Sequence, residues 1–400
     1  MSEMRDWFFL RSGFDNFKID PRHDRRILIG DYDRKRRDQL LTMLDGAAKA
    51  AHGQKAVIYG DYGRGKTHLC HNLLYEVERK KLRLAPAYVK CTEFESKEKF
   101  STLFRDMILG HDVKDLRRIA VAYKEKIDAK TADPLSDVIG NDDIAEVMTE
   151  GLIVPSDHVV KRCMRWLGGD AKVDMSAIEK THLAEQLTTG REFAGVLRGL
   201  AHMYRIVDNH VLLYLVDEAE RVEGVTHADT FTSWKSAFRE ITEEAGVAML
   251  FLVGAKSRNE LPVLFVQHEI MRRIGSANYT ELLNPSKEQL HEFLLEVLRV
   301  KVRKGEVPEA HWDALEGDAL DGAVPKELTA LTGNDPKRLD TYPFEPDAFE
   351  TFVEHLLVAE FGNKPSEALE RLQKAAQLAH TSDKRTIDQS IVTAIQSEGF

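Results

Sequence analysis

The stretch Gly60-Asp61-Tyr62-Gly63-Arg64-Gly65-Lys66-Thr67 constrains this chain more than any other feature. It satisfies the pattern G-x-x-x-x-G-K-[ST] at every defined position. At ordinary residue frequencies a chance match in a chain of this length has a probability on the order of one in a hundred, and the flanking residues strengthen the reading. Ala56-Val57-Ile58-Tyr59 before it is a short apolar run that reads as a buried strand. Behind it Leu69, Cys70, Leu73, Leu74 and Val77 recur at helical spacing. In such a strand–turn–helix the glycines let the backbone curl, so that its N–H groups converge on phosphate oxygens at the positive end of the helix. Lys66 then reaches the β- and γ-phosphates and Thr67 ligates magnesium, with Gly60, Asp61, Tyr62, Gly63, Arg64, Gly65 and His68 completing the nucleotide-contacting stretch. A glycine-rich turn without a ligand is the plain alternative, and pattern plus context argue against it.

A second motif completes the chemistry. Val211-Leu212-Leu213-Tyr214-Leu215-Val216-Asp217-Glu218 is an apolar run ending in two carboxylates. A buried strand here delivers Asp217 at its C-terminal tip, where ligands bind in open α/β sheets. Asp217 is expected to hold the magnesium and Glu218 to orient and polarise the attacking water. Acidic pairs after apolar strands are common; the upstream phosphate loop is what gives this one meaning. A further apolar run, Val247 to Val253, places the chain in the division of P-loop NTPases whose catalytic Glu adjoins this Asp.

Elsewhere Ala87 to Cys91 reads as another strand and Tyr279 to Leu283 as a weaker one. Phe100, Leu103, Phe104, Met107 and Ile108 mark one helix face, and Phe193, Val196, Leu197 and Leu200 another. Residues 110–190 show only short helical pieces broken by Asp133-Pro134, Gly140, Gly151, Pro155 and Gly168-Gly169, which reads as a helical insertion outside the core architecture. Beyond Pro285 the periodicity is helical throughout. The expected organisation is a charged lead-in over 1–45, a nucleotide-binding core over 46–285 and a helical lid over 286–400. The lead-in carries basic clusters at Arg22, Arg25, Arg26 and at Arg34 to Arg37, interleaved with aspartates; these suit a solvated helix face or a phosphate-contacting edge. With 56 Lys+Arg against 66 Asp+Glu the net charge is −10, which excludes a protein that coats polyanions over its whole surface. Cys70, Cys91 and Cys163 have no close pairing, so neither a disulfide scaffold nor a four-cysteine zinc module is expected. His68, Cys70 and His71 lack further clustered ligands for a metal site, and Trp166 beside Arg162 and Arg165 reads as a core anchor before it reads as a stacking platform. No apolar run of membrane-spanning length exists and the start lacks a signal-peptide core, so the expected compartment is the cytoplasm.

On these motifs the sequence resembles the AAA+ ATPases, from about Ile27 to the C-terminus apart from the insertion. Within them it is similar to origin-recognition and transposition-type ATPases, and to ATP-binding proteins of BREX-type phage-defence systems through Arg165-Trp166-Leu167-Gly168-Gly169 and Leu215-Val216-Asp217-Glu218-Ala219-Glu220. The resemblance implies an α/β P-loop fold with sheet order 5-1-4-3-2, the helical insertion, a C-terminal helical lid, ATP and Mg2+ as ligands, and a ring or helical homo-oligomer. It also implies an arginine acting on the neighbouring subunit's γ-phosphate, and Arg273 or Arg272 stands at the matching place before the last strand. A polar sensor is expected where the fourth strand ends; the chain has Gly254-Ala255 there, leaving Ser257 and Asn259 as candidates. For a second sensor in the lid, Gly333-Asn334-Asp335-Pro336-Lys337-Arg338 competes with Gly362-Asn363-Lys364-Pro365-Ser366, which has Ser366 where an arginine is expected and Arg371 a turn later.

The function expected is coupling of ATP binding and hydrolysis to nucleic-acid loading or remodelling, in phage defence, with DNA or RNA held through phosphate contacts and with other defence-system proteins as partners. A reading from another class is an ATP-dependent switch or scaffold that organises partner proteins without touching nucleic acid. The acidic balance and the departures at both sensor positions favour it.

Overall fold

The computed structural model describes residues 2–170, 185–307, 309–315, 322–333, 335–358 and 363–397. The chain divides into two compact units. One gathers Met1–Asp38, Asp61–Tyr75 and Leu283–Phe400, the other Gln39–Gly60 and Glu76–Leu282.

The second unit is built on five parallel strands: β1 Lys55–Gly60, β2 Leu84–Lys90, β3 Val211–Asp217, β4 Val247–Gly254 and β5 Tyr279–Glu281, in the order β2-β3-β4-β1-β5. That is the order the resemblance implies. The two uninterrupted apolar runs become β3 and β4, each with a neighbour on both sides, and every residue of β3 is buried. β2 starts three residues before the expected Ala87 because Leu84 pairs with Val211. Pro86 does not interrupt it: β2 is an edge strand, so one of its sides forms no ladder and a missing N–H there costs nothing.

Helices clothe the sheet where the periodicity predicts them. Phe100–Leu109 buries all five residues of its predicted face, and Gly190–Asp208 opens with a capping box between Thr189 and Glu192. Every regular element among the described residues of the insertion is helical, with Val113–Asp128 the longest and Asp157–Leu167 ending at Gly168-Gly169. A Cβ on Gly168 would stand 2.6 Å from Arg105 Cα, so only glycine lets the chain pass there. One expectation is corrected. Leu116, Ile119, Tyr123, Ile144, Met148 and Cys163 of the insertion belong to one continuous apolar core with Val89, Leu212 and Phe251 of the sheet. The segment is a wall of the core rather than an elaboration outside it. Trp166 is buried in the same core, with its indole N–H donating to the Glu185 carbonyl at 3.1 Å.

The first unit is helical, with Lys287–Lys301, Pro346–Val358, Pro365–Thr381 and Gln389–Ser397 as its longer elements apart from Asp31–Ala50 and Lys66–Arg79, which run on into the second unit. The N-terminal residues are more than a charged lead-in. Phe8, Phe14, Phe17, Ile27 and Ile29 are buried in one core with Leu290, Leu294, Phe349, Phe352 and Leu372. Their basic neighbours Arg22 and Arg26 stay exposed. The boundaries between units fall after Asp38, inside the helix Asp31–Ala50, after Gly60, after Tyr75, inside the helix Lys66–Arg79, and before Leu283. Among the described residues no helix is long and apolar enough to cross a membrane.

Candidate functional site

The phosphate loop begins where β1 ends. Gly63 and Gly65 adopt φ of 76° and 95°, values that side chains disfavour, and the helix Lys66–Arg79 follows at once. Lys66 lies back over the turn: its Nζ donates to the Asp61 carbonyl at 3.0 Å and stands 5.5 Å from the centre of the Tyr62 ring. Tyr62 itself is exposed, and Thr67 is half-buried in the first helical turn. The Asp61 carboxylate accepts from the Tyr62 N–H at 2.8 Å and pairs with Lys364 Nζ, also at 2.8 Å. Gly63 meets the start of the helix Pro365–Thr381. Its carbonyl accepts from the Ser366 N–H at 3.2 Å, and a Cβ there would stand 2.2 Å from Ser366 Oγ.

Of the two stretches that compete for the second sensor, 362–366 is therefore the one that meets the loop, through Lys364 and Ser366; Gly362 lies outside the described residues. Arg371 is buried and committed to Glu367 at 3.0 Å and His355 at 3.1 Å. In the other stretch Asn334 lies outside the described residues, while Lys337 and Arg338 are exposed.

Two predicted loop residues turn their side chains elsewhere. Arg64 is buried, its guanidinium forked onto Asp33 at 2.8 and 3.0 Å and its Nε donating to the Leu283 carbonyl. Its backbone N–H donates to the Asp61 carbonyl at 3.3 Å, within the turn itself. His68 places Nε2 on the Ile27 carbonyl, so that nitrogen carries the proton, and burial lowers its pKa to keep the ring neutral. Within the same unit Tyr32, Asp33, Arg64, Phe293, Glu296 and Pro365 line a cavity of about 610 Å3, ample for a nucleoside-sized ligand. Among the described residues no group of three or more His, Cys, Asp or Glu side chains gathers as a metal site.

In the sheet unit the parallel register sets Lys90 opposite Asp217 and Gly60 opposite Gly254, so four strands end on one edge with β4 between β1 and β3. Asp217 is buried. Its Oδ2 accepts from the Tyr88 hydroxyl and its Oδ1 from the Glu218 N–H, both at 3.0 Å. Glu218 follows with φ of 56°, a left-handed conformation rare for a side chain of its size. Its carboxylate pairs with Lys90 Nζ at 2.9 Å and Arg221 Nη2 at 2.5 Å. Glu220 ties the end of β4, accepting from the Gly254 N–H at 2.6 Å, with Ser257 half-buried and Asn259 exposed just beyond. Sequence reasoning missed Lys90, Arg221 and Tyr88. Register is the signal that finds two of them, because Lys90 and Tyr88 point to the same face of β2 at the level of Asp217.

The two candidate arginines on the helix His268–Ile274 differ. Arg273 is bound to Glu243 through Nε at 2.6 Å and through Nη2, and to the Glu269 carbonyl at 2.9 Å. Arg272 is exposed and has no hydrogen-bond or ion-pair partner among the described residues.

With this geometry in hand the chain can be compared with solved structures. It is similar to the ORC2 protein of Aeropyrum pernix in its ADPNP–ADP complexes, with a TM-score of 0.50 at 13% identity, covering 97% of this chain and 72% of that one. It is also similar to the Aeropyrum pernix ORC1 protein in complex with DNA, with a TM-score of 0.46 at 13% identity, covering 94% of this chain and 67% of that one. No protein-family model matches the chain, and no curated protein matches it in sequence. The fold is that of a P-loop NTPase of the AAA+ type, a parallel five-stranded α/β sheet with added helices.

Proposed function

We propose that the chain is an oligomeric, Mg2+-dependent AAA+ ATPase that couples ATP binding and hydrolysis to nucleic-acid loading or remodelling. One observation carries the catalytic part: a glycine-turned loop opening a helix follows β1, and β3 delivers Asp217-Glu218 to the same edge of the sheet. The turn Gly60 to Gly65 offers backbone N–H groups to phosphate oxygens and Lys66 a cation to the β- and γ-phosphates. The Thr67 hydroxyl and the Asp217 carboxylate are hard oxygen donors of the kind Mg2+ prefers, and the ion would supply charge neutralisation at the phosphates. Glu218 holds the attacking water. The solved ORC2 complexes with ADPNP and ADP support nucleotide as the ligand class. The placement in phage defence rests on the sequence resemblance at 165–169 and 215–220.

The test is a pair of variants. Lys66→Ala should abolish ATP binding, whereas Glu218→Gln should bind ATP and leave it unhydrolysed. Hydrolysis by Glu218→Gln at the wild-type rate would remove the role given to that carboxylate.

The pairing of Glu218 with Lys90 and Arg221 favours a second reading, a nucleotide-dependent switch in which hydrolysis is held in check and partner proteins are organised. A salt titration of DNA and RNA binding, with and without ATP, separates the two. Phosphate contacts impose a steep fall of affinity with log salt, and a protein-only switch shows no binding to titrate.

A further inference from the structure

Asp61 is out of place by its charge. It stands one residue into a turn that would hold the phosphates of a nucleotide, where a carboxylate and the phosphates repel one another. The phosphate-loop pattern leaves that position open, so nothing in the turn requires an acid there. The bond that the side chain makes within the loop, accepting from the Tyr62 N–H at 2.8 Å, is one that a neutral amide oxygen makes as well.

A cation from far along the chain, in the same unit, meets that carboxylate. Lys364, the residue that opens the helix Pro365–Thr381, places Nζ 2.8 Å from Asp61 Oδ2. The Asp61 and Lys364 side chains are 13% and 11% exposed, so water and salt screen the pair little. Lys66, the loop's own cation, is turned to the main chain of the same residue, its Nζ donating to the Asp61 carbonyl at 3.0 Å. A second tie holds the same helix to the loop without charge: the Ser366 N–H donates to the Gly63 carbonyl at 3.2 Å. Two residues apart, one contact is ionic and the other neutral. The charge can therefore be changed while the neutral tie stays in place.

We propose that Lys364 is a positioning residue for nucleotide binding: its ammonium neutralises the Asp61 carboxylate, so that the loop's hold on a polyphosphate is set by a residue of the helix Pro365–Thr381. This role rests on the nucleotide reading of the loop and adds to it a means of release. Withdrawal of that helix uncovers the carboxylate, which then repels the phosphates. One ion pair thus makes nucleotide affinity depend on where the helix stands.

Full-length chains carrying Lys364→Met, Asp61→Asn or both are compared with the wild type for ATP, ADP and AMP, each displacing a fluorescent ATP analogue. Met keeps the aliphatic stem of the lysine, and Asn keeps an oxygen for the Tyr62 N–H. Lys364→Met is expected to weaken ATP about tenfold or more, as an unanswered like charge does. ADP should lose less and AMP least, because the repulsion grows with the charge of the phosphates. Asp61→Asn should tighten ATP relative to AMP, and the double variant should recover most of what Lys364→Met loses. Should Lys364→Met not fold, Asp61→Asn decides alone: an unchanged ratio of ATP to AMP affinity overturns the proposal. Equal losses for all three nucleotides, no loss at all, or a double variant that recovers nothing also overturn it and leave Lys364 a structural tie. A wild-type chain that binds none of the three overturns the nucleotide reading, and this role with it.

Discussion

Glu218 sits in a backbone conformation that costs a non-glycine residue about 1–3 kcal/mol, and such strain gathers at functional positions. Its carboxylate is held between Lys90 and Arg221. Both oxygens are thereby occupied, Oε1 by Lys90 and Oε2 by Arg221, where a water would have to be held; Lys90 is half exposed, so that pairing is cheap to exchange. Lys90→Ala should therefore raise basal ATP turnover about two- to tenfold, a small part of what a positioned base contributes; phosphate-release kinetics showing no rise would count against the restraint. A second residue ties stability to pH. His111 is wholly buried, accepts from or donates to the Tyr214 hydroxyl at 2.7 Å, and burial lowers its pKa to about 4. The unfolded chain takes up that proton at about 6.5, so the stabilisation from keeping the ring neutral is full above that pH and is lost as pH falls toward 4. The loss is on the order of 3 kcal/mol. Urea unfolding at pH 7 and pH 4.5 should show His111→Gln losing clearly less stability on acidification than the wild type.

At the scale of elements, the strands and the phosphate loop are legible because each obeys one local rule: an apolar run, a glycine pattern, a helical stripe. The start of β2 is not, since Leu84 and Pro86 join it only through pairing with β3, which local pattern does not contain. The aromatic residues of the N-terminus hide among charges, and their burial depends on helices some 280 residues or more further along. Lys364 was within reach as part of a recognised turn, yet its pairing with Asp61 follows from tertiary placement. The insertion is the plainest case. Its punctuation reads as loop-rich, but glycines such as Gly168 mark close approach rather than looseness. Leu116→Ala, at a fully buried site in that segment, should cost about 2–5 kcal/mol in denaturant unfolding, as a core truncation does. A cost under 1 kcal/mol would restore the view of an excisable elaboration. Gly63→Ala combines a positive φ with a Cβ 2.2 Å from Ser366 Oγ. It should weaken ATP binding at least about tenfold, the equivalent of 1.4 kcal/mol.

For the whole molecule, an active site shared between subunits draws a second cation for the γ-phosphate from a neighbour, since Lys66 is the one cation that the loop, Asp217 and Glu218 together would bring there. Arg273 is already bound to Glu243, which makes Arg272 the better donor. Arg272→Ala should lower turnover far more than Arg273→Ala, toward the 10³–10⁵-fold that such arginines contribute in related systems. Mixing Arg272→Ala with Glu218→Gln subunits should recover activity that neither has alone; no recovery, with turnover independent of protein concentration, would sink the idea. The two cores also set an order of assembly during synthesis. The sheet unit draws its apolar core from residues 57–274 and can close while the ribosome is still translating the helices beyond. The helical unit cannot, because Phe8, Phe14 and Phe17 wait for partners as late as Leu372 and Ile395. For most of its elongation the nascent chain carries those aromatic side chains uncovered, a stretch of sticky surface that a ribosome-associated chaperone would meet first.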